Sequence, residues 1–269
     1  MAVFVACLLG TVIAFIILSG INAVIRGYDF SLFGSVWNPN TKHFGILTMI
    51  QATILLALSS LLMGWSLSLG CCCILNAHGK SFIAKFLMTV LTLMSAIPTV
   101  VYGFAAVFLL VPLVRDALGG TGFCWLTASL ILALQGVPTM TFVMNSAMST
   151  VSSHTRLTSK ALGLTDLQHF SRIVLPLSKK SMTAAAVLGL GRAAGDALLP
   201  TMLAGNAIRF AHSPVDSMRT LTAHISLVLS SDIGGGEHLS LLLAGALLLS
   251  FCAVVSLISR RLTRKESKS

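Results

Sequence analysis

Two opposite charges stand four residues apart in an otherwise apolar stretch: Arg192 and Asp196, within GLGRAAGDALLP at 189–200. A guanidinium presents forked N–H donors that match two oxygens of one oxyanion. A neighbouring carboxylate can hold that fork in place or weaken its grip, and a path that passes an ion along must not bind it too tightly. The same pair also reads as a structural ion pair facing the interior of a helix bundle, and the spacing leaves both readings open. On a continuous helix, four residues put the two side chains on one face, one turn apart. Counted from about Met182, Arg192 falls roughly 15 Å into such a helix, near the bilayer middle. A lone arginine there costs at least about 2.5–3.5 kcal/mol, and its counter-charge must be desolvated too.

Two threonines join this list. Thr99 follows Pro98 in AIPTV and Thr139 follows Pro138 in GVPTM. Each proline deletes one helix hydrogen bond. Either the freed carbonyls and the threonine hydroxyls line a polar path, or the prolines only kink packed helices.

Other chemistries are absent. HGKS at 78–81 ends like a phosphate-binding loop, but the glycine that motif needs five residues earlier is Ile74. Gly189, Gly191 and Gly195 lack dinucleotide-fingerprint spacing; Gly191 and Gly195 instead form Gly-x-x-x-Gly, which admits a second helix closely. The six cysteines, three of them consecutive at Cys71, Cys72 and Cys73, contain no Cys-x-x-Cys and read as small apolar residues rather than metal ligands or disulfides. No nucleophile, metal cluster or nucleotide site emerges, so the chain is not expected to be an enzyme or to carry a cofactor.

The elements that hold these residues are set by composition. The chain has 269 residues, 55% hydrophobic and only 10% charged, with mean hydropathy +0.91. Soluble domains are about one quarter charged. Apolar stretches of about 20 residues recur, the length that crosses a bilayer, which predicts an all-α polytopic membrane protein. Six spans are expected: 2–25, 44–75, 82–114, 123–150, 182–204 and 239–259. The first lacks the basic leader of a signal peptide and reads as a retained helix. The net charge of +10 lies in connections, which points to topology rather than to nucleic acid. With both termini on the cytoplasmic side, twelve basic residues face the cytoplasm against five outside. This gives a first helix and outer loop at 1–43, a core at 44–260 with a cytoplasmic loop at about 151–181, and a basic tail at 261–269.

That loop carries a resemblance. SKALGLTDLQHFSRIVLPLSKKSM, 159–182, resembles the EAA loop of ABC-importer permeases, with Ala161, Leu162, Gly163, Thr165, Val174, Leu175 and Pro176 at matching positions. RAAGD is similar to the Arg-Ala-x-Gly-Glu element of the phosphate-specific (Pst) permeases, and SAIPTVVYGF to their Ile-Pro-Ser-x-Val-Tyr-Gly segment. FGSVWNPNTKHFG and VDSMRTLTAHI resemble outer loops of the PstC-type subunit more than the PstA-type. The likeness runs from about Leu32 to Arg261. The loop departs from the pattern where Leu157 replaces its glutamate, Thr158 and Ser159 its alanines, and Ser181 its later glycine; Asp196 replaces the intramembrane glutamate.

The resemblance implies a type I ABC importer permease of the MetI-like fold in the bacterial inner membrane. It would move inorganic phosphate by alternating access, with Arg192, Asp196, Thr99 and Thr139 along the path. Ala161, Leu162, Gly163, Leu164, Thr165 and Asp166 would dock on an ATPase, as an amphipathic helix docks in a groove. The implied partners are a PstA-like second permease, a PstB-like ATPase dimer that binds ATP and Mg, and an external PstS-like phosphate-binding protein meeting loops 26–43 and 205–238. A permease for another oxyanion such as molybdate or sulfate, a self-sufficient channel or secondary carrier, and an assembly protein that has lost transport are the alternatives. Against a carrier, Asp196 is the only acid inside a span.

Overall fold

The computed structural model describes residues 34–41, 43–77, 81–229 and 236–264, together with positions 10, 11, 14 and 18. The expected first span at 2–25, the end of the tail at 265–269 and the loop at 78–80 therefore lie largely or wholly outside the described residues.

A short antiparallel hairpin opens the described chain, β1 (Trp37–Asn38) against β2 (His43–Phe44), with Trp37 opposite Phe44. Helix α1 (Leu47–Ala77) follows, 31 residues and apolar on every side, as suits a helix bordered by lipid and other helices. Its length is about 46 Å at 1.5 Å per residue.

The expected span at 82–114 is two helices. Ser81 caps α2 (Phe82–Ala96) by accepting from Ala84 N at 3.2 Å. The chain breaks at Ile97–Pro98 before α3 (Thr99–Leu118). Proline disfavours helical backbone in the residue before it, and Ile97 is extended at φ −73°, ψ 126°. The Met94 carbonyl at the end of α2 accepts from the Tyr102 hydroxyl at 2.8 Å, so the break leaves that carbonyl paired.

Helix α4 (Trp125–Ala161) has 37 residues and extends well past the expected end at 150. Pro138 sits within it without a break. The serine- and threonine-rich stretch beyond 150 stays helical by bonding back to its own carbonyls, Thr155 Oγ1 to Val151 O and Ser159 Oγ to Thr155 O, both 2.8 Å. The loop at 151–181 is thus largely helical. After a turn come α5 (Asp166–His169), a π-helical turn at Phe170–Val174 and α6 (Leu175–Leu177). The chain then bends by 69° into α7 (Lys179–Gly195). Helices α8 (Leu198–Leu203), α9 (Leu221–Val228) and α10 (Gly236–Arg264) complete the order.

Among the described residues, four helices are long and apolar enough to cross a membrane: Leu47–Asn76, Thr99–Leu118, Trp125–Ala161 and Ser240–Leu257. The bent pair Asp166–Leu177 and Lys179–Gly195 makes a fifth if counted as one. The expected six are not reached among these residues.

The chain divides into two compact units: Met1–Leu56 with Gly103–Ala128 and Ala194–Ala253, and Ala57–Tyr102 with Ser129–Ala193 and Val254–Ser269. In the first, Ile46 and Met49 pack with Leu221, Ala244 and Leu248. In the second, Met140, Met144 and Met148, one helical turn apart along α4, pack with Cys72, Phe170, Val174 and Ala185. Cys72 is fully buried in that cluster, as a small apolar residue would be.

Candidate functional site

Three helices of the second unit enclose a cleft of about 240 Å³. Helix α1 contributes Ser60 and Leu61, α4 contributes Leu132, Gln135, Gly136 and Met140, and α7 contributes Gly189, Arg192 and Ala193. Glycines shape its floor. A Cβ on Gly64 would lie 2.7 Å from Met140 Cε, and one on Gly136 3.3 Å from it. Met140 thus fills space that glycines on neighbouring turns leave open.

Arg192 is exposed and lies in the last turn of α7, where the helix dipole favours a cation. Its charge reaches the Tyr102 hydroxyl. Gln135 is buried, and its Nε2 donates to Thr99 Oγ1 at 2.6 Å. Thr99, reached through that bond, adjoins the cleft, whereas Thr139 is half-buried beside Met140 and does not line it.

Asp196 requires a correction. The expected shared helix face presumed a continuous helix, but α7 ends at Gly195 and Asp196 stands outside it. Glycine is a weak helix former and aspartate favours helix starts. Asp196 Oδ1 accepts from Leu199 N at 3.1 Å, at the beginning of α8. The glycine pair divides as well. A Cβ on Gly191 would lie 3.1 Å from Val255 Cγ1 of α10, but one on Gly195 would meet nothing within 4 Å. Only Gly191 brings a second helix close within the chain, because the helix carrying the motif stops at its second glycine.

The segment 161–166 is built by two opposed caps. Gly163 takes φ +72°, a left-handed conformation that glycine adopts freely. Gly163 N then reaches Lys160 O at 3.0 Å and Leu164 N reaches Ser159 O at 3.1 Å, a Schellman ending for α4. Thr165 and Gln168 form a reciprocal capping box that starts α5. Arg156 bridges to Asp166 at 3.3 Å, and the buried His169 Nε2 meets Thr155 Oγ1 at 2.9 Å, so both ends of the turn are tied to α4. Three leucines stand outward on this segment, Leu157, Leu162 and Leu167, the first 82% exposed.

The first unit joins the two polar connections. Trp37 of the hairpin packs edge-on to His224 at 5.2 Å, and both meet Ser240 Oγ, Trp37 Nε1 at 3.4 Å and His224 Nε2 at 3.1 Å. The Arg219 guanidinium lies 5.9 Å from the Trp37 ring centroid. Gln51 exchanges two hydrogen bonds with the backbone of Ala211, anchoring this loop to α1. Burial, then the nearby Arg219 charge, pushes the His224 imidazole down to about 4. The Asp216 carboxyl is held below the usual carboxylate range, first by the N–H groups of His212 and Ser213 and then by Arg209.

Sequence reasoning left Gln135 and Ser60 off the path, and it missed the ties made by His169 and His224. A glutamine three residues before a proline, deep in an apolar run, was the available signal for the first.

These elements match known proteins. The chain is 28% identical to the phosphate transport system permease protein PstC of Xylella fastidiosa strain Temecula1, over 98% of this chain and 92% of that protein. It is 30% identical to the probable ABC transporter permease protein YqgH of Bacillus subtilis strain 168, over 85% of this chain and 75% of that one. The fold is similar to that of the inward-facing MetNI methionine ABC transporter, with TM-score 0.64 at 15% identity over 82% of this chain and 95% of that one. It is also similar to a bacterial alginate ABC transporter in complex with an alginate pentasaccharide-bound periplasmic protein, with TM-score 0.62 at 17% identity over 99% and 96%. Residues 66–268 match a family pattern, and the chain belongs to the binding-protein-dependent transport system inner membrane components.

Proposed function

We propose that this chain is a PstC-type permease subunit of an ATP-driven importer that carries inorganic phosphate across the cytoplasmic membrane. The observation that carries the reading is the exposed guanidinium of Arg192 in a cleft between three helices. Its forked donors suit two oxygens of a tetrahedral anion, and relatives over nearly the whole chain are named for phosphate transport. The chain hydrolyses nothing; a separate pair of ATPase subunits binds ATP and Mg. The turn at 161–166, with outward Leu162 and Leu167, offers the apolar knobs that seat in an ATPase groove. A second, PstA-like permease completes the path. A phosphate-loaded external protein docks on the surface around the hairpin and residues 205–224, and both chain termini lie in the cytoplasm.

The test is Arg192→Gln in the assembled importer. Phosphate uptake into vesicles is abolished while the permease still co-purifies with its partners. Near-normal uptake by this variant overturns the reading.

A further inference from the structure

The cleft around Arg192 is rich in donors and poor in acceptors. Arg192 carries only N–H donors. Ser60 commits its single hydroxyl proton to the Ala57 carbonyl at 3.1 Å. Gln135, only 6% exposed, turns its Nε2 to Thr99 Oγ1 at 2.6 Å. That bond fixes which end of the amide is which: nitrogen toward Thr99, and Oε1, with two lone pairs, at the opposite end. The side chain that lines the cleft beside a guanidinium is therefore a neutral, oriented hydrogen-bond acceptor as well as a donor.

Tetrahedral oxyanions differ in one respect that such an acceptor can sense. Near neutral pH inorganic phosphate carries at least one O–H group, whereas sulfate and molybdate carry none. An arginine fork binds the bare oxygens of all three alike. Facing Gln135 Oε1, the P–OH of phosphate donates a hydrogen bond, while a bare oxygen sets lone pair against lone pair. A site built to pair with a hydroxyl rejects the analogue that lacks it, because its own polar group is then left unpaired.

We infer that Gln135 reads the proton of the bound oxyanion and so favours phosphate over sulfate or molybdate, with Thr99 as the positioning residue that orients its amide. The inference rests on the reading of Arg192 as the anion-holding residue. A glutamine is well suited to this task, since a carboxylate in its place would accept the same hydrogen bond but would repel every anion in the path.

The test uses the importer complex with both permeases and its ATPase but without the external binding protein, which makes its own selection. Equilibrium binding of radiolabelled phosphate is measured with sulfate as competitor. The wild-type complex prefers phosphate. Gln135→Leu lowers that preference about tenfold, through weaker phosphate binding with sulfate binding unchanged. Thr99→Val lowers it by a smaller factor. Gln135→Glu keeps the preference while weakening both anions. A role for Gln135 confined to joining α3 and α4 would alter assembly but not the ratio.

An unchanged ratio in Gln135→Leu overturns the inference; if that variant does not assemble, an unchanged ratio in Thr99→Val or a lost preference in Gln135→Glu does so. Loss of phosphate binding in Arg192→Gln alongside an unchanged ratio in Gln135→Leu removes Gln135 alone and keeps the Arg192 reading. Phosphate binding by Arg192→Gln equal to wild type, or none by the wild type, overturns both.

Discussion

Met140 and Gly189 fit each other: a Cβ added to Gly189 would lie 2.5 Å from the Met140 sulfur. The obstacle is the mobile end of an unbranched side chain, so Gly189→Ala is absorbed by a small shift of the thioether. Gly189→Leu is not, and the complex loses about 1–3 kcal/mol by overpacking. Met140→Ala added to Gly189→Leu returns part of that stability, read as the melting temperature of the purified complex. A double variant whose loss equals the sum of the two single losses counts against this packing, because touching residues are not additive.

Two glycines with nearly equal backbone angles separate strain from collision. Gly119 has φ +79° with open space around it, while Gly122 has φ +77° and a Cβ there would overlap the Val111 carbonyl. Gly119→Ala costs only the left-handed strain, about 1–2 kcal/mol. Gly122→Ala adds a backbone clash that no rotamer relieves, and the protein accumulates poorly or melts well below the Gly119 variant. Equal melting temperatures for the two would contradict this arrangement.

Thr165 closes the capping box of α5. Thr165→Ala removes it at a cost of about 1 kcal/mol, and amide exchange across 165–169 rises about fivefold at that cost. Arg156→Ala, which removes a half-exposed ion pair, changes exchange little. The ATPase of the assembled importer is then less strongly stimulated by the loaded binding protein in the Thr165 variant. Stimulation equal to wild type, with exchange raised, would separate this turn from coupling.

His224 confers acid sensitivity on the first unit. Its folded value of about 4 lies below the ordinary 6.5, so the unfolded chain binds more protons between these values. Stability is therefore full above pH 6.5 and falls as pH drops toward 4, by about 2 kcal/mol at pH 5. The groups that face it, Arg219, Trp37 and Ser240, offer no negative charge to accept the new proton. Asp216 contributes in a lower window, its stabilisation present above the ordinary carboxylate value and lost below it. His224→Gln, which cannot charge, loses less melting temperature than wild type between pH 7 and pH 5; equal losses would remove His224 as the cause.

Hydropathy made the long helices legible, and Leu-Gly followed by Thr-x-x-Gln made the turn at 162–168 legible, because these signals are local. The prolines show where local signals fail. Pro98 and Pro138 stand in nearly the same sequence, yet the first breaks the helix and the second rides within it. The neighbourhoods differ in distant residues. Tyr102 pairs the Met94 carbonyl where α2 ends, while Ser68 of α1 donates to the Val137 carbonyl at 3.2 Å beside Pro138. The Arg192–Asp196 spacing misled for a related reason: a four-residue repeat means a shared face only while the helix continues, and Gly195 ends it. Gln135 became visible as a cleft residue only once α1, α4 and α7 were brought together.

The π turn at Phe170–Val174 stores a counting rule. Its Leu175 N–H reaches back to Phe170 O, five residues rather than four, so the segment carries an extra residue relative to an α-helix. Deleting one residue there would let the turn tighten, and each residue of α-helix is about 100° of rotation. Leu167 would then swing away from its present direction while Val174 kept its place among the methionines. Length, and not only composition, is thus under constraint between the outward leucines and the buried core.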